Sequence, residues 1–198
     1  ERGLILKYNY AATCLFGLEG LVADELRKMG AEEVAAENGR VFFSGGADIL
    51  CRANICSRFA ERIMIYMGSF KAETFDELFD GVKSLPWESF IGKDDAFPVK
   101  GWSINSALHS VPGCQSIIKK AVVERLKSVY GISWFKESGA AYRISFSIMK
   151  NTASLYIDTS GEGLHKRGYR PRSNAAPIKE TLAAAMAYLT GIFDDSYV

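Results

Sequence analysis

The sequence predicts an α+β fold, built as two small mixed modules in series followed by a basic linker and one further helix. Three observations carry that prediction. Over residues 1–68 the apolar residues switch between alternating and helical spacing in the order strand, helix, strand, strand, helix, strand. Over residues 69–160 a second series follows, namely helix, strand, helix and a strand hairpin. From Gly161 onward glycine and proline break any regular element, until an alanine-rich helix begins near Ile178.

In the first module, residues 8–16 are rich in aromatic and apolar side chains and read as a strand. Leu18, Leu21, Val22, Leu26 and Met29 recur at helical spacing, and Gly30 supplies the stop. Residues 33–37 form a short strand, Asn38-Gly39 is a hairpin turn signal, and residues 40–43 return antiparallel. Ile49, Leu50, Ala53 and Cys56 share one side of a helix over 47–56, and 63–67 is a fourth strand. This order is the split βαβ, ferredoxin-like arrangement.

In the second module, Phe75, Leu78, Phe79 and Val82 mark a helix that Thr74 caps, with Glu77 three residues on to complete a capping box. Pro86 and Gly92 bracket an irregular loop. Residues 97–104 read as a strand. A Ser/Asn/Pro/Gly loop then leads into a helix with Ile118, Val122, Leu126 and Val129 on one face and Lys119, Lys120, Glu124 and Lys127 toward solvent. The loop is expected to bring several backbone N–H groups and the two adjacent lysines to one helix start, an arrangement suited to an anion. Taken alone, the stretch also fits an ordinary strand–loop–helix with solvated lysines. Tyr142, Ile144, Phe146 and Ile148 alternate with polar residues, as do Ala153, Leu155 and Ile157 after Lys150-Asn151, which makes a hairpin.

Composition narrows the function. Nearly half the residues are apolar, so a core can form, and the net charge of +1 requires any basic surface to be local. Cys14, Cys51, Cys56 and Cys114 form no Cys-x-x-Cys pair, and His109 and His165 are the only histidines. That pattern argues against a metal site and against a disulfide framework. No signal-peptide pattern and no run near the roughly 20 apolar residues of a membrane span is present, so a soluble cytoplasmic chain without a membrane partner is expected.

Catalytic constellations are missing. Gly161 and Gly163 follow a strand, but the next glycine, Gly168, comes too late for a dinucleotide fingerprint, and no phosphate-binding P-loop occurs. Asp94-Asp95 and Asp194-Asp195 are adjacent in sequence and do not face each other as a catalytic dyad would. His109 has no nucleophile partner nearby. No catalytic, cofactor-binding or metal-binding residue is assigned.

Two basic features remain. One is the strand–loop–helix carrying Lys100, Lys119, Lys120, Arg125 and Lys127. The other is the run Lys166, Arg167, Arg170 and Arg172 around Tyr169. Cations of this kind neutralise phosphates and release counterions, and an aromatic stacks on an unpaired base. Each feature alone also fits a solvated surface, but both in one near-neutral chain point to RNA.

Several strings carry a resemblance. Ser106-Ala-Leu-His-Ser-Val-Pro-Gly-Cys-Gln-Ser-Ile-Ile-Lys-Lys-Ala121 resembles the central loop and helix of a THUMP domain, an RNA-binding module of RNA-modification enzymes. Phe16-Gly-Leu-Glu-Gly-Leu-Val-Ala-Asp-Glu-Leu26 is similar to the first helix of the ferredoxin-like domain of bacterial large-subunit ribosomal-RNA guanine-N2 methyltransferases. Leu155-Tyr-Ile-Asp-Thr-Ser-Gly-Glu-Gly-Leu-His-Lys-Arg-Gly-Tyr-Arg170 resembles the end of the THUMP domain and the junction beyond it. Ala176-Pro-Ile-Lys-Glu-Thr-Leu-Ala-Ala-Ala185 resembles the helix that introduces their methyltransferase domain.

The resemblance implies a ferredoxin-like domain over 1–68, a THUMP domain over 69–160, and a basic linker with the first helix of a methyltransferase domain over 161–198. Residues 192–198 look like the approach to a strand, so the chain reads as a fragment. The family's cofactor loop and catalytic motif are absent from it. S-adenosylmethionine is implied for the longer protein and no cofactor for this piece. RNA, ribosomal by resemblance, is the expected partner, with phosphate contacts from Lys119, Lys120, Lys127, Arg167, Arg170 and Arg172 and secondary ones from Lys100 and Lys166. Two other readings stay open: the THUMP region of a transfer-RNA 4-thiouridine synthetase, and a stand-alone RNA-binding adaptor.

Overall fold

The computed structural model describes residues 7–168, 172 and 177–191. The chain divides into two units, Glu1–Ile65 with Thr159–Val198, and Tyr66–Asp158.

The first unit opens with β1 (Tyr8–Thr13), α1 (Glu19–Lys28), β2 (Glu32–Glu37), β3 (Arg40–Gly45) and α2 (Ala47–Cys56), and then enters β4 (Arg62–Lys71). The strand order is β2-β3-β1-β4, with β1 antiparallel to both β3 and β4. This is the ferredoxin-like order expected from the sequence. Apolar side chains from one side of these strands, among them Tyr10, Ala12, Val41, Phe43 and Ile63, are buried, as are Val22 and Leu26 of α1 and Ile49 and Ala53 of α2. β1 ends three residues earlier than its aromatic run suggested. Phe16 is exposed, and Gly17 at φ +90° turns the chain into α1. Glu25 is buried but not isolated. Its carboxylate accepts from Ser57 Oγ at 2.9 Å, from Arg58 Nε at 2.9 Å and from the Arg58 backbone N–H, which ties α1 to the end of α2.

The second unit begins within β4 and continues through α3 (Phe75–Ser84), a 3₁₀ turn at Trp87–Ser89, β5 (Val99–Ile104), α4 (Val111–Tyr130), β6 (Ile144–Met149) and β7 (Thr152–Asp158). The capping box on α3 forms as the sequence predicts. Thr74 Oγ1 accepts from the Glu77 N–H, and Glu77 Oε2 accepts from the Thr74 N–H. β5 runs parallel to β6, and β6 is antiparallel to β7 across the Lys150-Asn151 turn, where both residues have positive φ. β5 is the last strand in the order. Ile144, Phe146 and Ile148 of β6 are buried, as are Ile118, Val122 and Leu126 of α4. Val129 was expected on that same helix face but is exposed at the last turn. A Cβ on Gly101 would collide with the Phe146 carbonyl and ring, so glycine lets β5 lie close against β6.

From Thr159 the chain returns to the first unit. A 3₁₀ turn spans Leu164–Lys166, and α5 spans Glu180–Leu189 and ends at Gly191 with φ +70°. The strand expected over 192–198 lies outside the described residues.

Candidate nucleic-acid interface

α4 carries three of the lysines singled out by the sequence. Its start is closed locally: Ser110 caps it, accepting the Gly113 N–H at 3.3 Å on its hydroxyl and the Cys114 N–H at 2.9 Å on its carbonyl, and Pro112 has no N–H to offer. The expectation of several open N–H groups beside two lysines is therefore corrected. Lys119 and Lys120 lie eight and nine residues past Val111, roughly 12 Å along the axis at about 1.5 Å per residue.

The two adjacent lysines have different surroundings. Lys119 Nζ forms an ion pair with Glu137 Oε1 at 2.6 Å, donates to the Phe97 carbonyl at 3.3 Å and sits 3.8 Å from the centre of the Phe97 ring. Phe97 in turn packs edge-on against Phe135. Three intramolecular partners make Lys119 a bracket that covers an outward carbonyl next to β5. Gln115 Nε2 does the same for the Val99 carbonyl at 3.2 Å. Lys120 is exposed. Its Nζ lies 5.7 Å from the Phe79 ring centre, and Lys83 Nζ of α3 lies at the same distance from that ring. Lys127 falls two turns below Lys120 on the same face of α4, with Glu124 between them. Arg125, counted in the basic patch from sequence, is paired with Glu88, and that hydrogen bond holds the Glu88 carboxyl below the usual carboxylate range. Lys100 is exposed on β5.

The second basic group belongs to the first unit. Arg167 is half-buried and donates to the Ser57 and Asn54 carbonyls, both at 2.6 Å. These are carbonyls at the C-terminal end of α2, where orphan acceptors and the helix dipole favour a cation. Lys166 is exposed and approaches Glu162 at 3.4 Å. Arg172 is exposed, while Arg170 and Tyr169 lie outside the described residues. Glu61 fixes this returning segment from below. It accepts from Thr181 Oγ1 at 2.5 Å and from Lys179 Nζ at 3.2 Å, and faces His165 Nδ1 at 3.2 Å. Burial opposes the Glu61 charge, but Thr181, Lys179 and His165 outweigh it and hold the carboxyl below its ordinary range.

Among the described residues no cluster of His, Cys, Asp or Glu fits a metal ion, and no helix is long and apolar enough to cross a membrane. Asp94 and Asp95 serve the backbone: Asp95 accepts from the Gly92 and Ala140 N–H groups, and the Asp94 carbonyl from that of Gly139. Sequence reasoning overlooked Lys83, which shares the Phe79 ring with Lys120, and Trp102, which shares the exposed face of β5 with Lys100. The second was readable from the two-residue period of a strand.

Comparison with known proteins gives two family matches, an RlmL ferredoxin-like domain over residues 9–64 and a THUMP domain over residues 72–158. The chain is 50% identical over 186 residues to "Putative RNA methyltransferase YpsC" of Bacillus subtilis, covering 93% of this chain and 48% of that protein. It is 38% identical to "Ribosomal RNA large subunit methyltransferase K/L" of Magnetococcus marinus, covering 93% of this chain and 26% of the relative. Among solved structures, a "predicted N6-adenine-specific DNA methylase" from Listeria monocytogenes superposes with TM-score 0.90 at 47% identity, over 94% of this chain and 49% of that one. "SMU.472, a putative methyltransferase complexed with SAH" gives TM-score 0.90 at 40% identity over 96% of this chain and 50% of that one. The chain thus spans about half the length of the relatives most similar in size, and about a quarter of the K/L enzymes.

Proposed function

The chain carries an RlmL ferredoxin-like domain followed by a THUMP domain, and from that premise we propose that it is the RNA-holding region of an S-adenosylmethionine-dependent RNA methyltransferase. The observation that carries the reading is the likeness to the "Putative RNA methyltransferase YpsC" across 93% of the chain, spanning both domains and the segment beyond them. In this reading the described residues supply position and charge, and transfer of the methyl group belongs to a part of the longer protein that the chain does not match. The substrate is large-subunit ribosomal RNA; S-adenosylmethionine bound elsewhere in the longer protein would supply the methyl group to a guanine exocyclic amine, the S–CH3 bond breaking as N–CH3 forms, with S-adenosylhomocysteine as the leaving group and one amine proton lost.

A methyltransferase must select one base among many of the same kind, and a separate basic module makes that search local once the surrounding RNA is held. The side chains left for phosphates are Lys83, Lys120 and Lys127 on the α3–α4 face, Lys100 on β5, and Lys166 and Arg172 in the returning segment. Lys119 and Arg167 hold the fold together and act on RNA only through the elements they fix.

The test uses the full natural protein with isotopically labelled S-adenosylmethionine and, side by side, large-subunit ribosomal RNA, transfer RNA and double-stranded DNA. Label entering ribosomal RNA and recovered as N2-methylguanosine after digestion is the expected result. Label entering DNA adenine instead, as the description of the Listeria relative would have it, overturns the reading.

A further inference from the structure

We propose that the face of β5 and β6 turned away from α4 is a stacking platform for an unpaired RNA base, with Trp102 as the platform and Lys100 and Lys150 holding the flanking phosphates. The proposal rests on the RNA reading above and adds the surface and the kind of RNA.

α4 packs against β5, and Ile144, Phe146 and Ile148 of the neighbouring β6 are buried on one side of the sheet. The parallel register sets Lys100 beside Ser145, Trp102 beside Ser147, and Ile104 beside Met149 on the other side. On that side Trp102 is 40% exposed, Ile104 53% and Met149 45%, an apolar strip at the sheet's edge with a large aromatic at its centre. None of these six positions carries a carboxylate, Ser147 is buried, and in the same rows β7 adds the buried Tyr156 beside Ser145 and the half-buried hydroxyls of Ser154 and Thr152. Lys100 lies at one end of the strip and Lys150 directly after Met149 at the other, both exposed. A planar aromatic between two cations, flanked by hydroxyls, matches a single-stranded nucleotide: the ring stacks on a base, the ammonium groups meet phosphates, and the hydroxyls suit base edges or a 2′-OH.

The mounting is rigid, which stacking requires. Gly101 seats β5 against the Phe146 backbone, so Trp102 stands on a strand held close to its neighbour. The turn bearing Lys150 is pinned, because Asn151 Oδ1 accepts the Ala107 N–H at 2.8 Å and the Asn151 N–H donates to Ser106 Oγ at 3.1 Å. A protein partner adding a strand to this edge fits less well. The outward carbonyls of Phe97 and Val99 already accept from Lys119 and Gln115.

The test is fluorescence anisotropy with a labelled single-stranded RNA of about twelve nucleotides and the blunt duplex of the same sequence. The proteins are the wild-type chain, W102A, W102F, W102L and, as a separate arm, K120E/K127E, each checked by thermal melting. W102A is expected to weaken single-strand binding about tenfold and to change duplex binding less than about twofold, with W102F keeping most of the affinity and W102L not. Wild type binding RNA while W102A matches it overturns the platform and leaves the RNA reading intact. W102L restoring affinity as well as W102F also overturns it, because a plain apolar contact, such as one to a protein, would then account for the strip. Folded wild type binding neither RNA overturns the RNA reading itself. If W102A fails to fold, W102F against W102L decides.

Discussion

Arg167 separates what the sequence suggests from what the structure shows it doing. As one of four cations in a short run it reads as a phosphate contact, yet its guanidinium donates to two carbonyls at the end of α2, both at 2.6 Å. Ser57, one of the two acceptors, is fully buried. Removing the side chain in Arg167→Ala strands two acceptors that water reaches poorly and takes away a cation at a helix C-terminus. A hydrogen bond to a charged group contributes about 1.5–3 kcal/mol and a cation at a helix end about 0.3–1 kcal/mol, and these overlap, so the expected loss is about 2–4 kcal/mol. For a chain of this length that is a fall in Tm of roughly 4–16 °C. Arg167→Lys, which keeps the charge and one donor direction, is expected to lose about half as much. Urea titration followed by circular dichroism measures it, with Cm moving and m unchanged. RNA affinity of the folded variant is expected to fall less than about threefold, since no free cation is removed. Stability within about 0.5 kcal/mol of wild type, together with a tenfold loss of RNA affinity, would refute the assignment and return Arg167 to the phosphate contacts.

Three further outcomes are expected. Lys119→Ala removes the Glu137 ion pair, the Phe97 carbonyl bond and the ring interaction together, and chemical denaturation should show a loss of about 1–2 kcal/mol, whereas Lys120→Ala should change stability by less than about 0.5 kcal/mol. Gly101→Ala drives a methyl into the Phe146 carbonyl. Prying β5 from β6 should cost at least about 2 kcal/mol, read as a lowered Cm or as loss of soluble protein. Glu61 has its folded carboxyl below the ordinary range, so its contribution is present above about pH 4.5 and is lost as pH falls through the folded value. Glu61→Gln should therefore melt below wild type near neutral pH, and the gap should close in acid. A gap that widened in acid would contradict that sign.

Much of the fold was legible because its signals are local. The helix at 47–56 matches α2 residue for residue, Asn38-Gly39 and Lys150-Asn151 turn their hairpins, and Thr74 with Glu77 caps α3. The interface was legible only in part, because a cation's role depends on what lies opposite it in space. Lys119 finds its partners 18 and 22 residues away, and Arg167 finds its own 110 and 113 residues back along the chain. No local pattern distinguishes either from Lys120 or Lys166. The start of α4 misled for a different reason. Ser110 and Pro112, which mark the helix start in sequence, are the same residues that use up or remove its open donors.

The salt dependence of RNA binding tests the central claim most directly. With a single-stranded ribosomal RNA fragment, the observed affinity of the wild-type chain should fall linearly with salt on logarithmic axes. Removing one lysine–phosphate pair should flatten that slope by about 0.7, so the K120E/K127E chain should bind more weakly with a slope shallower by about 1.4. An equal slope in the two proteins, or a wild-type affinity indifferent to salt, would contradict an RNA interface on this face.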